Sequence, residues 1–203
     1  MNGHDPVHRQ VMEATARTLT EHGFAGFTIR AVAERIDASK SPLHHRYDGK
    51  QGPLATWLGR DASRRAERFE QYSDEPPLER LISLLDENLQ LIENPAVEGL
   101  LPAYLELHMR AARSELFRGA MDEGERRYRE ELVACIEDGI ERGVFRPVDP
   151  EATATLLVAV PDTAGLAHHT LDDDAVVSRL RTALNQLVFE SLLVADRESE
   201  DLL

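Results

Sequence analysis

Cysteine is nearly missing: Cys135 is the single one in 203 residues. One cysteine excludes an internal disulfide framework and a multi-cysteine zinc site. Lysine is almost as scarce, with Lys40 and Lys50 standing against 21 arginines. Long apolar runs are missing too. None reaches the roughly 20 residues that a membrane-spanning helix needs. The opening "MNGHDPVHRQ" has no apolar stretch of the kind a secretory signal carries. These absences predict a cytoplasmic protein with no membrane partner.

Positive charge is short overall, 23 Lys and Arg against 37 Asp and Glu, for a net of −14. The shortage is uneven. Residues 1–60 hold eight basic and six acidic residues, a net of +2, while residues 61–203 carry −16. A molecule at −14 is repelled by nucleic acid unless one part is locally exempt, and the amino-terminal segment is that part. Excess acid with so little lysine also predicts a salt-loving host. Carboxylates stay hydrated in concentrated salt, and screening makes their mutual repulsion tolerable.

What is present reads as helix. Hydrophobic residues make up 42% and charged residues 30%, a globular composition long enough for one domain, or one small and one larger. No segment alternates apolar and polar residues for long, so an all-α fold is predicted, without repeats or low-complexity stretches.

A first helix is predicted over about residues 6–22, with Val11, Ala14, Thr15, Thr18 and Leu19 on one face. Gly23 ends it at a position that needs a left-handed backbone. Thr28 caps a second helix, "IRAVAERI", and Phe27 with Val32 can staple its start. After a three-residue turn, Ser39 caps a third, "KSPLHHRY", anchored by Leu43 and Tyr47 alone. Further helices are predicted over about 49–72, 78–93, 98–112, 114–142, 150–170 and 173–195.

Two short helices on a tight turn make a helix-turn-helix candidate, whose second helix fits the DNA major groove. Such a face needs cations for phosphates and flexible polar groups for base edges. Lys40, Ser41, His44, His45 and Arg46 meet that need, and Lys50 can add a phosphate contact at the start of the next helix.

The run "VMEATARTLTEHGFAGFTIRAVAERIDASKSPLHHRYDGKQGPL", residues 11–54, resembles the DNA-binding domain of TetR-type transcriptional regulators. The likeness rests on Gly23-Phe24, Thr28, Ser39-Lys40-Ser41 and a lysine, Lys50, after the closing aromatic Tyr47. It implies backbone contacts by Thr28, Ser39, Lys40, His44 and Lys50, with Ser41, His45 and Arg46 nearest the bases. His44 stands where an aromatic is usual, Arg46 where His is common, and Pro53 where Leu is usual. The resemblance further implies a helix-turn-helix domain over residues 1–50 and an effector-binding and dimerisation domain over 51–203. Its last two helices would pair with those of a second copy. The expected function is a ligand-responsive repressor on a palindromic operator. The alternatives are an architectural DNA-binding protein without an effector and, from a different class, an all-helical enzyme. No motif supports catalysis, a cofactor or a metal.

Within the carboxy-terminal part, Tyr104 and His108 share a helix face and can hydrogen-bond an effector in an apolar pocket, or be plain core. Leu89 and Phe117 complete the candidate effector set. Pro161 removes a backbone hydrogen bond inside a predicted helix, either opening space for a ligand or marking a tolerated kink. His168 and His169 point about 100° apart on a helix, which suits one metal poorly. Asp172, Asp173 and Asp174 read as a loop and cap. Cys135 faces a predicted core, which favours burial over redox sensing.

Overall fold

A computed structural model describes residues 6–36, 47, 49–94, 99–171 and 173–194. Among them regular structure is helical throughout, with one isolated antiparallel bridge between Phe145 and Leu193. No helix among the described residues is long and apolar enough to cross a membrane.

The local signals place the amino-terminal helices. Helix α1 (Pro6–Gly26) breaks at Gly23, whose φ of 59° and ψ of −178° lie outside the helical region. That combination is essentially closed to residues with a Cβ. Helix α2 (Ile29–Arg35) opens on Thr28, an extended residue whose side chain accepts from the Ala31 N–H at 3.1 Å. A cap of this kind contributes about 1 kcal/mol. Phe27 and Val32, the predicted staple, are both buried. Helix α3 (Gln51–Phe69) follows Gly49, a positive-φ residue, and tightens into a 3₁₀ turn over Glu70–Tyr72. Then come α4 (Pro77–Ile92), with proline in its first turn, α5 (Leu100–Ala111) and α6 (Glu115–Glu141). Gly143, at φ 66°, ends that stretch, and Asp149 caps α7 (Pro150–Leu171) by accepting from the Ala152 N–H at 3.1 Å.

The chain forms two compact units that do not follow chain order: Met1–Arg64 with Gly99–Gly124, and Arg65–Glu98 with Glu125–Leu203. In the first, α1 packs on α2 and α5. Its core joins Leu19, Phe24, Phe27, Tyr47, Leu54, Trp57, Leu107 and Phe117. All five residues predicted for the inner face of α1 are buried.

In the second unit α4 packs on α7. Leu81, Leu84, Leu85, Leu89 and Ile92 of α4 are all buried, each contributing roughly 1.5–3 kcal/mol. Phe69 stacks on Tyr128, and Arg80 reaches Glu131 at 2.6 Å. Arg181 pairs with Asp86.

The last predicted helix needs correction. Helix α8 starts only at Val176 and runs to Ala183, passes into π-helical turns over Leu184–Phe189, and ends in a short turn, Glu190–Leu192. Its start is delayed because the Val176 N–H bonds the Asp173 carbonyl in a turn. The chain after it pairs with the end of α6: Arg146 donates to Leu192 and Val194 donates to Val144.

Candidate nucleic-acid interface

The predicted reading helix, with Ser39, Lys40, Ser41, His44, His45 and Arg46, lies outside the described residues. Its two flanks are described. On one side Ile36 closes α2 by donating to Ala33 and packs against the core of the first unit. On the other, Tyr47 is buried, with its hydroxyl 3.4 Å from His8 Nδ1. Both flanking residues therefore belong to the core that α1 helps to build. Thr28 is exposed, and its hydroxyl oxygen accepts from the backbone while its proton remains to donate outward.

Lys50 immediately precedes α3. Its ammonium turns into the protein, donating to the Phe24 carbonyl at 3.1 Å and standing 4.0 Å from the centre of the Phe24 ring. Phe24 is held at every polar point. Because Gly23 turns the chain out of helical geometry, the Phe24 N–H leaves the α1 ladder and donates to Glu106 Oε2 on α5 at 2.8 Å. Arg110, one turn further along α5, lies 3.7 Å from the ring centre and 3.0 Å from Glu106. Phe117 meets the same ring edge-on, 6.0 Å between centroids. Burial works to raise the Glu106 carboxyl. The Phe24 amide and Arg110, with the charges of Arg110 and Lys50, outweigh it and hold the group below the ordinary carboxylate value. Sequence reasoning missed Glu106, Arg110 and this use of Phe24. The one legible signal was the four-residue spacing of Glu106 and Arg110.

Residues 11–52 match the family described as bacterial regulatory proteins, tetR family. Residues 77–193, more than half of the chain, match the carboxy-terminal part of BetI-type transcriptional repressors. The chain belongs to the TetR family. It is a DNA-binding transcriptional regulator with an amino-terminal helix-turn-helix domain. A TetR transcription regulator from Haloarcula marismortui is 32% identical, covers 91% of this chain and 97% of its own, and superposes with a TM-score of 0.83. Two structures of lower identity share the fold. A Saccharomonospora viridis protein solved with choline is 22% identical, covering 93% of this chain and 98% of its own, at a TM-score of 0.80. FadR from Bacillus subtilis, solved with stearoyl-CoA, is 17% identical, covering 91% and 98%, at 0.75. No curated protein matches the sequence.

In this TetR-family protein Tyr104, His108 and Phe117 belong to the first unit and Leu89 to the second. Tyr104 and His108 do pair, with rings 6.3 Å apart and edge-on, Tyr104 half-buried and His108 exposed. Phe117 is fully buried against Phe24 in the first unit, and Leu89 is fully buried in the core of the second. Cys135 is buried and donates to the Pro77 carbonyl at 3.2 Å. Burial pushes its thiol up to about 12, so it holds no thiolate for redox chemistry. His168 lies 3.8 Å from Asp174, and no group of three or more potential metal ligands exists among the described residues. Asp173 pairs with Arg179 as a loop residue.

Proposed function

We propose that this TetR-family regulator is a repressor that binds a palindromic operator as a homodimer and releases it when a small organic molecule occupies its carboxy-terminal domain. Residues 1–50 carry recognition, and residues 51–203 carry effector binding and dimerisation. The first compact unit borrows α5 and the start of α6 from the latter as its support. Thr28, Ser39, Lys40, His44 and Lys50 meet the DNA backbone, while Ser41, His45 and Arg46 read the bases. Two copies would set their reading helices in successive major grooves, about 34 Å apart. Such a regulator works in the cytoplasm, where the DNA is.

The observation that carries the dimer is the outer face of α7. Leu156 is 58% exposed and Leu166 51%, and Ala159 and Thr163 are exposed along the same line. Residues at these spacings form one stripe of small and apolar side chains. Replacing Leu156 and Leu166 together by glutamate should weaken dimerisation by at least roughly hundredfold, because a buried unpaired carboxylate costs several kcal/mol. Light scattering on the eluted protein checks it. A wild-type chain that elutes as a monomer at every concentration counts against the reading.

Two neighbours in this fold hold choline and stearoyl-CoA, which supports a small organic effector here. Tyr104 and His108 are the polar groups offered to it, and Leu89 and Phe117 serve packing. Footprinting on the DNA upstream of the coding sequence, repeated with candidate metabolites that include these two ligands, tests the whole reading. Protection that one of them removes is the expected result.

Lys40→Ala should weaken operator binding about tenfold, the loss of one charge-assisted hydrogen bond at roughly 1.5 kcal/mol. Counterion release contributes little at high ionic strength. Most of that loss should therefore persist in concentrated salt, as anisotropy titrations would show.

A further inference from the structure

Helix α1 hands the chain to α2 through one tight turn. Gly23, at φ 59° and ψ −178°, takes the Phe24 N–H out of the α1 ladder. The Phe27 N–H closes the turn onto the Gly23 carbonyl at 3.1 Å and the Phe24 carbonyl at 3.4 Å. Thr28 follows at once, extended and exposed, its hydroxyl oxygen accepting from the Ala31 N–H at 3.1 Å. Those bonds leave little freedom between Phe24 and Thr28. Where Phe24 is held therefore decides where the Thr28 hydroxyl stands.

Phe24 is held from outside the helix-turn-helix. Its N–H donates at 2.8 Å to Oε2 of Glu106, in the second half of α5. The same oxygen lies 3.4 Å from the place a Cβ on Gly23 would take, so the carboxylate rests directly against the turn. Both ends of the bond are fixed in their turn. The Phe24 side chain is buried, and Arg110 bonds the other carboxylate oxygen at 3.0 Å while lying over the Phe24 ring at 3.7 Å. Burial works to raise the Glu106 carboxyl, but the amide and the guanidinium prevail and keep it an ionised acceptor. A charged acceptor holds the N–H more firmly than the helix carbonyl it replaces. All these groups belong to the first unit. A carboxylate is a costly choice beside a surface that meets phosphates, since by charge alone it repels the duplex. What it returns is geometry.

We propose that Glu106 is a positioning residue for DNA recognition: from α5 it grips the Phe24 N–H and so fixes the turn that presents Thr28 to the DNA backbone. The proposal rests on the reading of Thr28 as a backbone contact. Glu106 itself touches no DNA. Deleting its charge should by electrostatics alone tighten binding, whereas loss of its grip weakens it, so the two effects have opposite signs.

The test uses full-length protein and a duplex that the wild-type chain selects from a random-sequence pool. Binding of the wild type, Glu106→Ala, Glu106→Gln, Thr28→Gly and the double variant Glu106→Ala with Thr28→Gly is measured by anisotropy across a salt series. Temperatures stay below the onset of melting for each. Glu106→Ala should weaken binding by roughly tenfold, because the Phe24 N–H loses its acceptor. Glu106→Gln keeps an oxygen for that N–H and should bind within about threefold of the wild type. Thr28→Gly still allows α2 to start but removes the hydroxyl, and it should also lose roughly tenfold. The double variant should be no more than about twofold weaker than the weaker single one, since residues that act through one contact are not additive. The slope of log affinity against log salt should be unchanged in Glu106→Ala, because no cation leaves a phosphate. A merely structural Glu106 would lower the melting temperature and leave the affinity of the folded protein intact. Unchanged or tighter binding in Glu106→Ala, a Glu106→Gln chain no better than Glu106→Ala, or additive losses overturns the proposal alone. Unchanged binding in Thr28→Gly overturns the reading of Thr28 and this proposal with it. If Glu106→Ala fails to fold, Glu106→Met, which keeps the bulk of the side chain, gives the same comparison.

Discussion

Replacing Phe117 by alanine is expected to cost roughly 3–5 kcal/mol, the range for removing a buried phenyl ring. Phe117 is fully buried and meets Phe24 edge-on at an interplanar angle of 81°. Such a contact adds about 0.5–1.5 kcal/mol to the area it buries. The surroundings cannot close over the gap cheaply. The Phe24 backbone is tied through its N–H to Glu106 and through its carbonyl to Lys50, and Lys50 and Arg110 lie over its ring, so a shift of that ring toward the gap gives up these cation contacts. For a chain of this length each kcal/mol moves the melting temperature by about 2–4 °C, so a fall of roughly 6–20 °C should appear in circular dichroism. DNA binding should fall with it, because Phe117 belongs to the core cluster that carries α1 and α2. A variant that melts within about 2 °C of the wild type would mean the ring is far less committed than its burial shows.

The second large effect is expected from Gly139→Ala, a change that helix propensity alone would favour by about 1 kcal/mol. Geometry reverses the sign. A Cβ at Gly139 would lie 2.0 Å from Cδ2 and 2.3 Å from Cε2 of the Phe145 ring. The ring has nowhere to go. Phe145 is buried, its N–H is bonded to the Gly139 carbonyl at 2.9 Å, and it forms the bridge to Leu193. Overpacking of this kind costs about 1–3 kcal/mol, and a rigid backbone on both sides puts the site at the upper end. The net effect is destabilising, by about 2 kcal/mol or more at that upper end, and thermal melts measure it. Adding Phe145→Leu should restore part of the loss by making room for the new methyl group. A Gly139→Ala chain as stable as the wild type would show that the approach of ring to backbone is looser than described.

Most helix boundaries could be read directly. Gly23 and Gly143 take the positive φ that a helix end demands, and Thr28 accepts the bond its position predicts. The α4 stripe is buried residue for residue. The fold class and the family follow from such patterns, as does regulation through DNA. Two features of the carboxy-terminal part turned out differently. The final helix starts late and changes pitch, and a single bridge joins Phe145 to Leu193.

The division has one physical cause. A cap, a helix stop or an amphipathic stripe depends on residues within about four positions of each other, and those positions are adjacent in any folded state of the helix. Order along the chain therefore settled the helices, their inner faces and the helix-turn-helix. The Glu106–Phe24 bond joins residues 82 positions apart, and nothing in either neighbourhood announces the other. The partner of a charged side chain is chosen by whichever carbonyl, ring or carboxylate packing brings within about 3–4 Å. Only the folded arrangement decided that Lys50 serves Phe24, that Gly139 makes room for a ring, and that α5 belongs with α1.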